Sequence, residues 1–306
     1  MCNIAGISKQ ALWKFGRQEQ LNAEIGQHIN GLIQDMRKRH KRMGCRTIYY
    51  AVKESSPAGR DKFEQIGFAH GYKLRRKRNK IKTTWSQRVE VAPNLIEGIT
   101  ITGINQVWSS DIFYIQVEGK DYYGVKIMDV YSRKLLALRI TRSLEAVQNV
   151  IALKQAIKKR KGMGLKGCIF HSDRGSQYIS NAHKSLLQNT GMLASMGTLP
   201  QQNAYSERAI GTIKNDYLYE LNLTEKNLRS QVRKVVSYYN LERPHDSLGK
   251  MSPDAYEKYV EKLPEEQRPK EVVFVWKTCL STISQDVNKK KKVAKKKNIY
   301  NSYKLA

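Results

Sequence analysis

The sequence predicts an α/β domain built on a mixed sheet of five strands, preceded by a small helical domain. Two observations indicate the sheet. Three segments rich in aromatic and β-branched residues follow one another between positions 107 and 141, which is typical of strands joined as hairpins. Helical and strand patterns then alternate, which is typical of a sheet covered by helices. A third observation, three short helical patterns separated by glycines within residues 33–82, indicates the helical domain.

The three segments predict strands at Val107–Val117, Tyr122–Tyr131 and Lys134–Thr141, with turns at Lys120–Asp121 and Ser132–Arg133. A helical pattern over residues 143–161 ends before two glycines. The remaining elements are a strand at Gly167–Phe170, a helix at Asn181–Asn189, a short strand at 192–197 and a helix from Asn203 onward. This order of strands and helices is the one expected of an RNase H-like domain.

Residues 33–82 suit a DNA-binding domain like a helix-turn-helix. Gly44 separates its first two helices, Thr47 is a plausible N-cap of the second, and the third follows Gly59. A basic run comes next, and its Arg75, Arg76, Lys77 and Arg78 would contact DNA phosphates. The alternative is a basic helical bundle that reads no bases, since phosphate contact needs only the charge.

Composition limits the partners of this 306-residue chain. Its net charge of +28 indicates a polyanion, and nucleic acid before membrane. The sequence contains no apolar run long enough for a membrane span and no secretory signal. The four cysteines lie far apart without a CxxC pair, which argues against a disulfide framework or a cysteine zinc site and fits a reducing cytoplasm.

Three acids are the candidate site. Asp111 is predicted in the middle of a strand, where aspartate is disfavoured; Asp173 ends a neighbouring strand; and Glu207 lies on the helix beside them. Three carboxylates around one point repel each other unless divalent cations lie between them. Oxygen ligands suit Mg²⁺, and two such ions about 3.5–4 Å apart would serve an in-line displacement at phosphorus.

Three further residues are candidate DNA contacts near these acids. Lys214 comes seven residues after Glu207, and in an ideal helix both lie on nearly the same face as Asn203. Lys214 would meet a phosphate near the metals, and Asn203 would position DNA or the preceding loop. Arg174 follows Asp173 in a loop where a DNA contact is plausible.

Two other residues near the acids have ordinary structural explanations. Asp129 is the main rival acid, and its place before the Ser132–Arg133 turn favours a turn-capping role. His171, two residues before Asp173, either shapes the site or is a partly buried histidine at a strand end. The sequence has no GxSxG elbow and no P-loop pattern, so neither a serine hydrolase nor ATP use is predicted.

Five segments carry a resemblance to a known family. In order they are NQVWSSDIFYI, YYGVKIMDVYSRK, HSDRGSQYIS, NAYSERAIGTIKNDYL and YYNLERPHDSLGKMSPDAY. Together they resemble the IS3-family insertion-sequence transposases, specifically the second-frame product with its integrase-type catalytic core. The resemblance covers roughly residues 33–260. The family's catalytic, metal-binding acids match Asp111, Asp173 and Glu207, and its basic residue matches Lys214. With 33 residues between Asp173 and Glu207, the loop at 197–202 is slightly short for the family.

The resemblance implies a DDE transposase, a polynucleotidyl transferase that cleaves and transfers DNA strands at element ends with two Mg²⁺ ions, or Mn²⁺ in their place. It implies double-stranded DNA as substrate, a homo-oligomer on DNA, fusion or pairing with an upstream-frame product, and a cytoplasmic, nucleoid-associated place in a bacterium. No zinc site is expected. Two alternatives are a non-catalytic DNA-binding protein and an RNase H-like nuclease that cuts without joining strands.

The predicted organisation has five parts. They are an N-terminal segment (1–32), the helix-turn-helix-like domain (33–82), a linker (83–102), the catalytic core (103–262) and a basic C-terminal extension (263–306). The lysine-rich end of the extension would attract DNA without reading its sequence, or it is functionally silent read-through.

Overall fold

The computed structural model describes residues 8–74, 92–197 and 203–273. Its α-helices are α1 (Lys9–Arg39), α2 (Cys45–Ala51), α3 (Arg60–Ala69), α4 (Ala146–Lys159), α5 (Asn181–Thr190), α6 (Ala204–Thr212), α7 (Leu228–Glu242) and α8 (Pro253–Glu261). Its strands are β1 (Thr100–Ile101), β2 (Val107–Val117), β3 (Lys120–Asp129), β4 (Leu135–Thr141), β5 (Ile169–Ser172), β6 (Leu193–Met196) and β7 (Glu271–Val272). None of these helices is long and apolar enough to span a bilayer.

The central sheet has five strands in the order β4-β3-β2-β5-β6. Strands β2, β3 and β4 are antiparallel neighbours, whereas β5 runs parallel to β2 and β6 parallel to β5. The mixed sheet predicted from the sequence is therefore confirmed. It has the strand order of an RNase H-like fold, with the two parallel strands added beside the first strand of the meander.

The first hairpin turns two residues earlier than predicted. Glu118 and Gly119 both have positive φ, 49° and 73°, and Lys120 already belongs to β3. Positive φ at both central residues is the geometry of the tight turns that suit the twist of a hairpin. Since glycine adopts that geometry without strain, Gly119 fixes the turn ahead of Lys120–Asp121.

Each face of the sheet packs against two helices. On one face, Phe113, Ile115 and Met128 join the apolar residues of α6 and α7 in a buried cluster. On the other, Trp108, Val125 and Ile127 pack against α4 and α5. Because side chains alternate along a strand, odd-numbered residues of β2 such as Ser109 and Asp111 share the face of Phe113, which is covered by α6.

The N-terminal helices form a unit with its own core. Ile29, Ile33, Met36, Ile48 and Phe63 are buried together in it. The long helix α1 crosses the boundary predicted at residue 32, because it begins at Lys9 and runs on to Arg39. The second helix begins earlier than predicted. Its N-cap is Gly44, which has extended backbone angles, and Thr47 lies inside the helix.

This unit contacts the rest of the chain where α1 ends. The ring nitrogen Nδ1 of His40 lies 2.9 Å from the hydroxyl of Tyr217, and Nε of Arg39 donates to Glu242 at 2.7 Å. Two polar contacts from adjacent residues therefore join the end of α1 to α7 and to the segment after α6.

Residues outside the predicted core also pack against it. Ile96 and Ile101 are buried with Val130, Tyr131 and Val273, and β1 pairs with β7 in an antiparallel ladder. Residues 92–102 were assigned to a linker and residues 263–273 to a basic extension, and parts of both segments pack against the core in the structure. The lysine-rich tail lies outside the described residues.

Candidate active site

Asp111 and Asp173 are brought together by the pairing of two parallel strands. Strand β2 pairs with β5 in a register that sets Ser109 beside His171. Two residues further along each chain are Asp111, still within β2, and Asp173, just after the end of β5. Because side chains repeat every second residue along extended chain, both carboxylates lie on the side of the sheet that α6 covers.

Helix α6 carries Glu207 to the same place. Asn203 is its N-cap residue, and the Asn203 side-chain amide donates to the carbonyl oxygen of Ser110 at 3.1 Å. Ser206 lies next to Glu207 and accepts a hydrogen bond of 2.8 Å from Nζ of Lys126. Lys126 is the cross-strand partner of Asp111. Two hydrogen bonds thus hold the first turn of α6 near Asp111: one from Asn203 to β2 and one from Lys126 on β3 to Ser206.

The charges of the other two acids act on Asp111. Burial raises the pKa of Asp111, and the charges of Asp173 and Glu207 raise it further, against the Lys126 ammonium and the Ile112 amide. Desolvation by the surrounding protein raises the pKa of Asp173, although the residue reaches the surface. It also raises the pKa of Glu207. Uncompensated negative charge of this kind favours a bound cation.

The carboxylates suit a hard divalent cation by their donor chemistry. Asp173 and Glu207 are exposed, and Asp111 is half-buried behind them. In the described part of the chain, no three His, Cys, Asp or Glu side chains stand close enough together to hold a metal ion as they are. Charge and donor type fit the ion, although the three acids do not form a ready set of ligands in this structure.

Lys214 is displaced from the ideal helical face on which it was predicted. Helix α6 ends at Thr212 and continues as one wider π-helical turn, Ile213–Tyr217, which contains Lys214. Wider turns of this kind occur often at functional sites. The ammonium of Lys214 lies 5.9 Å from the ring centroid of Phe113 and 5.6 Å from that of Tyr219. No carboxylate partner holds it within the described residues.

The other predicted DNA contacts differ in their surroundings. Asn203 is only 5% exposed, and its amide donates to Ser110, which holds α6 on β2; its contact with DNA stays a prediction. Arg174 is half-buried in the loop after Asp173. Arg75, Arg76, Lys77 and Arg78 lie outside the described residues.

Several supporting residues were not identified from the sequence. The hydroxyl of Tyr178 lies 2.9 Å from Oγ of Ser110, the residue before Asp111. Lys126 and Ser206 form the second support. A signal for Lys126 was present, because a charged residue inside an apolar strand is as unusual as Asp111. Nothing in the sequence distinguished Ser110 or Ser206 from other serines.

The two alternative candidates have structural partners. Asp129 is fully buried, and its carboxylate accepts hydrogen bonds from the amides of Ser132 at 3.0 Å and Asn105 at 2.7 Å. It caps the turn, as its position predicted. His171 is fully buried, and its Nδ1 lies 2.9 Å from Oγ of Ser195 on β6. It belongs to the sheet interior beneath the site.

Two family models match the part of the chain that carries the three acids. Residues 102–199 match a family model described as an integrase core domain, and residues 194–253 match a second model with the same description. The chain also resembles solved integrase structures. One is the catalytic core of HTLV-2 integrase in complex with magnesium, at 17% identity and a TM-score of 0.41, covering 51% of this chain and 97% of that one.

Sequence relatives extend over more of the chain. An insertion element IS600 protein of 31 kDa from Shigella sonnei, described as uncharacterized, is 30% identical over 276 residues, which are 85% of this chain and 98% of that protein. The transposase for insertion sequence element IS904 from Lactococcus lactis is 34% identical over 173 residues, or 55% of this chain and 67% of that one. The chain belongs to the insertion-sequence transposases that carry an integrase core domain.

Proposed function

We propose that this chain is a DDE transposase of the IS3 family. It cuts DNA at the ends of an insertion sequence and transfers the freed 3′ ends to target DNA. The observation that supports this most directly is the placement of three acids from separate parts of the sequence. Asp111 and Asp173 each lie two residues beyond the paired Ser109 and His171 of parallel strands, and Glu207 lies on a helix fastened to Ser110.

Asp111, Asp173 and Glu207 would hold two Mg²⁺ ions, or Mn²⁺ in their place. When bound, such ions activate the attacking oxygen and stabilise the leaving oxygen of a phosphodiester. The raised pKa of Asp111, caused by burial and by the charges of Asp173 and Glu207, supports this assignment, because a divalent cation would offset that charge. The exposure of Asp173 and Glu207 would leave room for DNA.

The remaining residues near the site would bind and orient DNA. Lys214 would contact a phosphate, since its ammonium has no carboxylate partner among the described residues and lies 5.9 and 5.6 Å from the rings of Phe113 and Tyr219. Arg174 would contact the backbone on the Asp173 side. In the first reaction water displaces a 3′ oxygen from a phosphodiester; in the second the freed 3′ hydroxyl displaces the 3′ oxygen of a target phosphodiester.

DNA binding outside the core is assigned to the N-terminal helices and to charge. The three-helix unit with Arg75 to Arg78 after it would hold duplex DNA at the element ends, and the +28 net charge supports binding to a polyanion. Cutting two ends and joining them to one target requires more than one active site, so a homo-oligomer on DNA is proposed, joined by or fused to an upstream-frame product.

The decisive experiment measures cutting and joining separately. Labelled duplexes that carry the ends of the encoding element are incubated with Mg²⁺ and with wild type, Glu207→Gln or Asp121→Asn. Asp121 is an exposed acid near the first hairpin and serves as the matched control. Wild type and Asp121→Asn should nick the end and join it to a second duplex, whereas Glu207→Gln should bind DNA without cutting it.

The same assay separates the alternatives. Cutting without joining would indicate a nuclease, and end binding without cutting in Mg²⁺ or Mn²⁺ would indicate a non-catalytic binder. Equal cutting by wild type and Glu207→Gln would remove Glu207 from the site.

A further inference from the structure

Lys126 is a lysine with no solvent exposure in the middle of strand β3. Taking an ammonium out of water costs several kcal/mol in real proteins, about as much as a small domain can lose. A Met or Leu would fill the same core position without that cost. The contacts of the Lys126 ammonium should therefore explain why a charge is present there.

The ammonium of Lys126 joins the two elements that carry Asp111 and Glu207. Its Nζ donates to Oγ of Ser206 on α6 at 2.8 Å and to Oγ of Ser109 on β2 at 3.3 Å. Ser206 directly precedes Glu207, and Ser109 is two residues before Asp111 on the same strand face. One buried side chain thus touches the neighbours of two of the three acids.

Other contacts also hold α6. Asn203 fastens the start of the helix to Ser110, Tyr205 donates to Glu271 at 3.0 Å, and Ala209 packs in the buried cluster on this face of the sheet. The Lys126 to Ser206 bond adds a fully buried polar contact to β3 at the residue directly before Glu207. A contact at that position bears directly on the distance of Glu207 from β2 and on the direction in which its side chain leaves the helix.

We propose that Lys126 is a positioning residue for the transposase site: through Ser206 it holds the helix that carries Glu207 in register with the strand that carries Asp111. The proposal rests on the proposed role of these acids. A shift of about 1 Å in such a site is enough to cost on the order of 100-fold in rate, so a hydrogen bond that prevents the shift affects catalysis without touching DNA.

The test uses a pair of substitutions at Ser206 in the full-length chain. Ser206→Ala removes the acceptor of the Lys126 ammonium, and Ser206→Thr keeps a hydroxyl there. Three quantities are measured: kcat and KM for cleavage of an element-end duplex, the Mg²⁺ concentration that gives half the maximal rate, and Mn²⁺ binding to the DNA-free protein by titration calorimetry.

Positioning predicts a specific pattern. Ser206→Ala should lower kcat by on the order of 10-fold, raise the half-maximal Mg²⁺ concentration and weaken Mn²⁺ binding, while KM for DNA stays within about twofold. Ser206→Thr should recover most of each loss. Lys126→Met should repeat the Ser206→Ala pattern, and the double variant should add little to either single one.

A second lysine with a largely buried side chain separates this effect from a general loss of stability. Lys134 is 18% exposed, and its ammonium donates to Glu257 on α8 at 2.7 Å. Lys134→Met should lower the melting temperature and leave the Mg²⁺ dependence of cleavage and the Mn²⁺ affinity alone.

Two results would overturn the positioning role. One is Mn²⁺ affinity and kcat in Ser206→Ala equal to those of wild type. The other is equal loss in Ser206→Ala and Ser206→Thr, which would show that packing matters and the hydroxyl does not. If wild type fails to cut or join DNA, the proposed function fails, and the Mn²⁺ affinities of the Ser206 variants still decide whether Lys126 positions the acids.

Discussion

Arg160 and Glu257 form a buried ion pair with two hydrogen bonds, in which the guanidinium nitrogens donate to the two carboxylate oxygens at 2.9 and 2.5 Å. The pair joins the end of α4 to α8, although the two residues are 97 positions apart. Glu257 also accepts hydrogen bonds from Oγ of Ser132 and Nζ of Lys134. Helix α8 is thereby fastened to the turn after β3.

Substitution of Glu257 should destabilise the fold strongly. Glu257→Gln would leave the Arg160 guanidinium buried without its main counter-charge, and losing one member of such a pair costs about 3–5 kcal/mol. The free energy of unfolding from urea denaturation measures this. Glu261→Gln, on the exposed side of the same helix, should stay within about 0.5 kcal/mol of wild type. Equal stability of the two variants would contradict the role of the pair.

Gly124 should tolerate no side chain, because Phe113 occupies the space where a Cβ would lie. A Cβ on Gly124 would come within 2.3–2.6 Å of three atoms of that ring. Overpacking of this kind costs about 1–3 kcal/mol, so Gly124→Ala should lower the melting temperature. Gly31→Ala in α1, where a Cβ meets nothing within 4 Å, is the control and should be neutral or stabilising.

A second substitution checks the cause. Phe113→Leu shortens the side chain opposite Gly124, so it should cost less stability in the Gly124→Ala background than in wild type. If the two costs add without interaction, the ring is not what excludes a side chain at position 124.

The sequence predicted the parts of this fold that follow from local pattern. The bounds of β2 were predicted correctly, because Val107–Val117 is rich in aromatic and β-branched residues and ends at a turn. The hairpin turn was misplaced, because the turn is formed by Glu118 and Gly119, both with positive φ. Glutamate rarely adopts that geometry, so Glu118 did not mark the turn in the sequence. The continuity of α1 from Lys9 to Arg39 was not predicted for a physical reason: its first turns bury no side chain in the described chain, so no apolar stripe marks them.

The candidate site shows the same division. Asp111 was noticed because strands disfavour aspartate, and Asp173 and Glu207 because the predicted strand end and helix lie beside it. Lys126 and Ser206 were not noticed, because their importance comes from a contact between residues 80 positions apart. Such a contact depends on how α6 lies on the sheet, which is a tertiary property. The π-helical turn that displaces Lys214 was unpredictable for the same reason.

Asp111→Asn should stabilise the protein in the absence of divalent metal while abolishing cleavage. Burial and the charges of Asp173 and Glu207 raise the pKa of Asp111, so above that pKa the folded state pays for an ionised carboxylate that a neutral amide avoids. Each unit of such a shift corresponds to about 1.4 kcal/mol. Unfolding in urea at pH 8 with EDTA measures the gain, and Asp121→Asn is the control. A less stable Asp111→Asn would contradict it.

Lys214→Gln should weaken DNA binding and make it less dependent on salt. If the ammonium contacts one phosphate, its loss should reduce the slope of log affinity against log salt concentration by about 1. Binding to an element-end duplex at several NaCl concentrations measures the slope. Lys120→Gln, at an exposed position of the first hairpin, is the control. An unchanged slope in Lys214→Gln would show that this lysine does not contact a phosphate.

His183 should make the protein less stable in mild acid. The residue is 1% exposed on α5, with its ring 5.1 Å from that of Phe170 and 5.7 Å from that of Tyr178. Burial lowers the pKa of His183 to about 4, whereas an unfolded histidine has a pKa of about 6.5. Above pH 6.5 the neutral ring costs nothing. Between the two values the unfolded chain binds a proton that the folded one does not.

His183 therefore does not lower the free energy of unfolding above about pH 6.5. Below that pH the free energy of unfolding falls by about 1.4 kcal/mol per pH unit as the pH approaches 4. His183→Phe keeps an aromatic ring there and removes the titration, so its loss between pH 6.5 and 4.5 should be smaller than that of wild type by about 2–3 kcal/mol. Urea unfolding at three pH values measures the difference. His70→Gln, exposed after α3, should run parallel to wild type, and a parallel curve for His183→Phe would show that His183 binds its proton equally in both states.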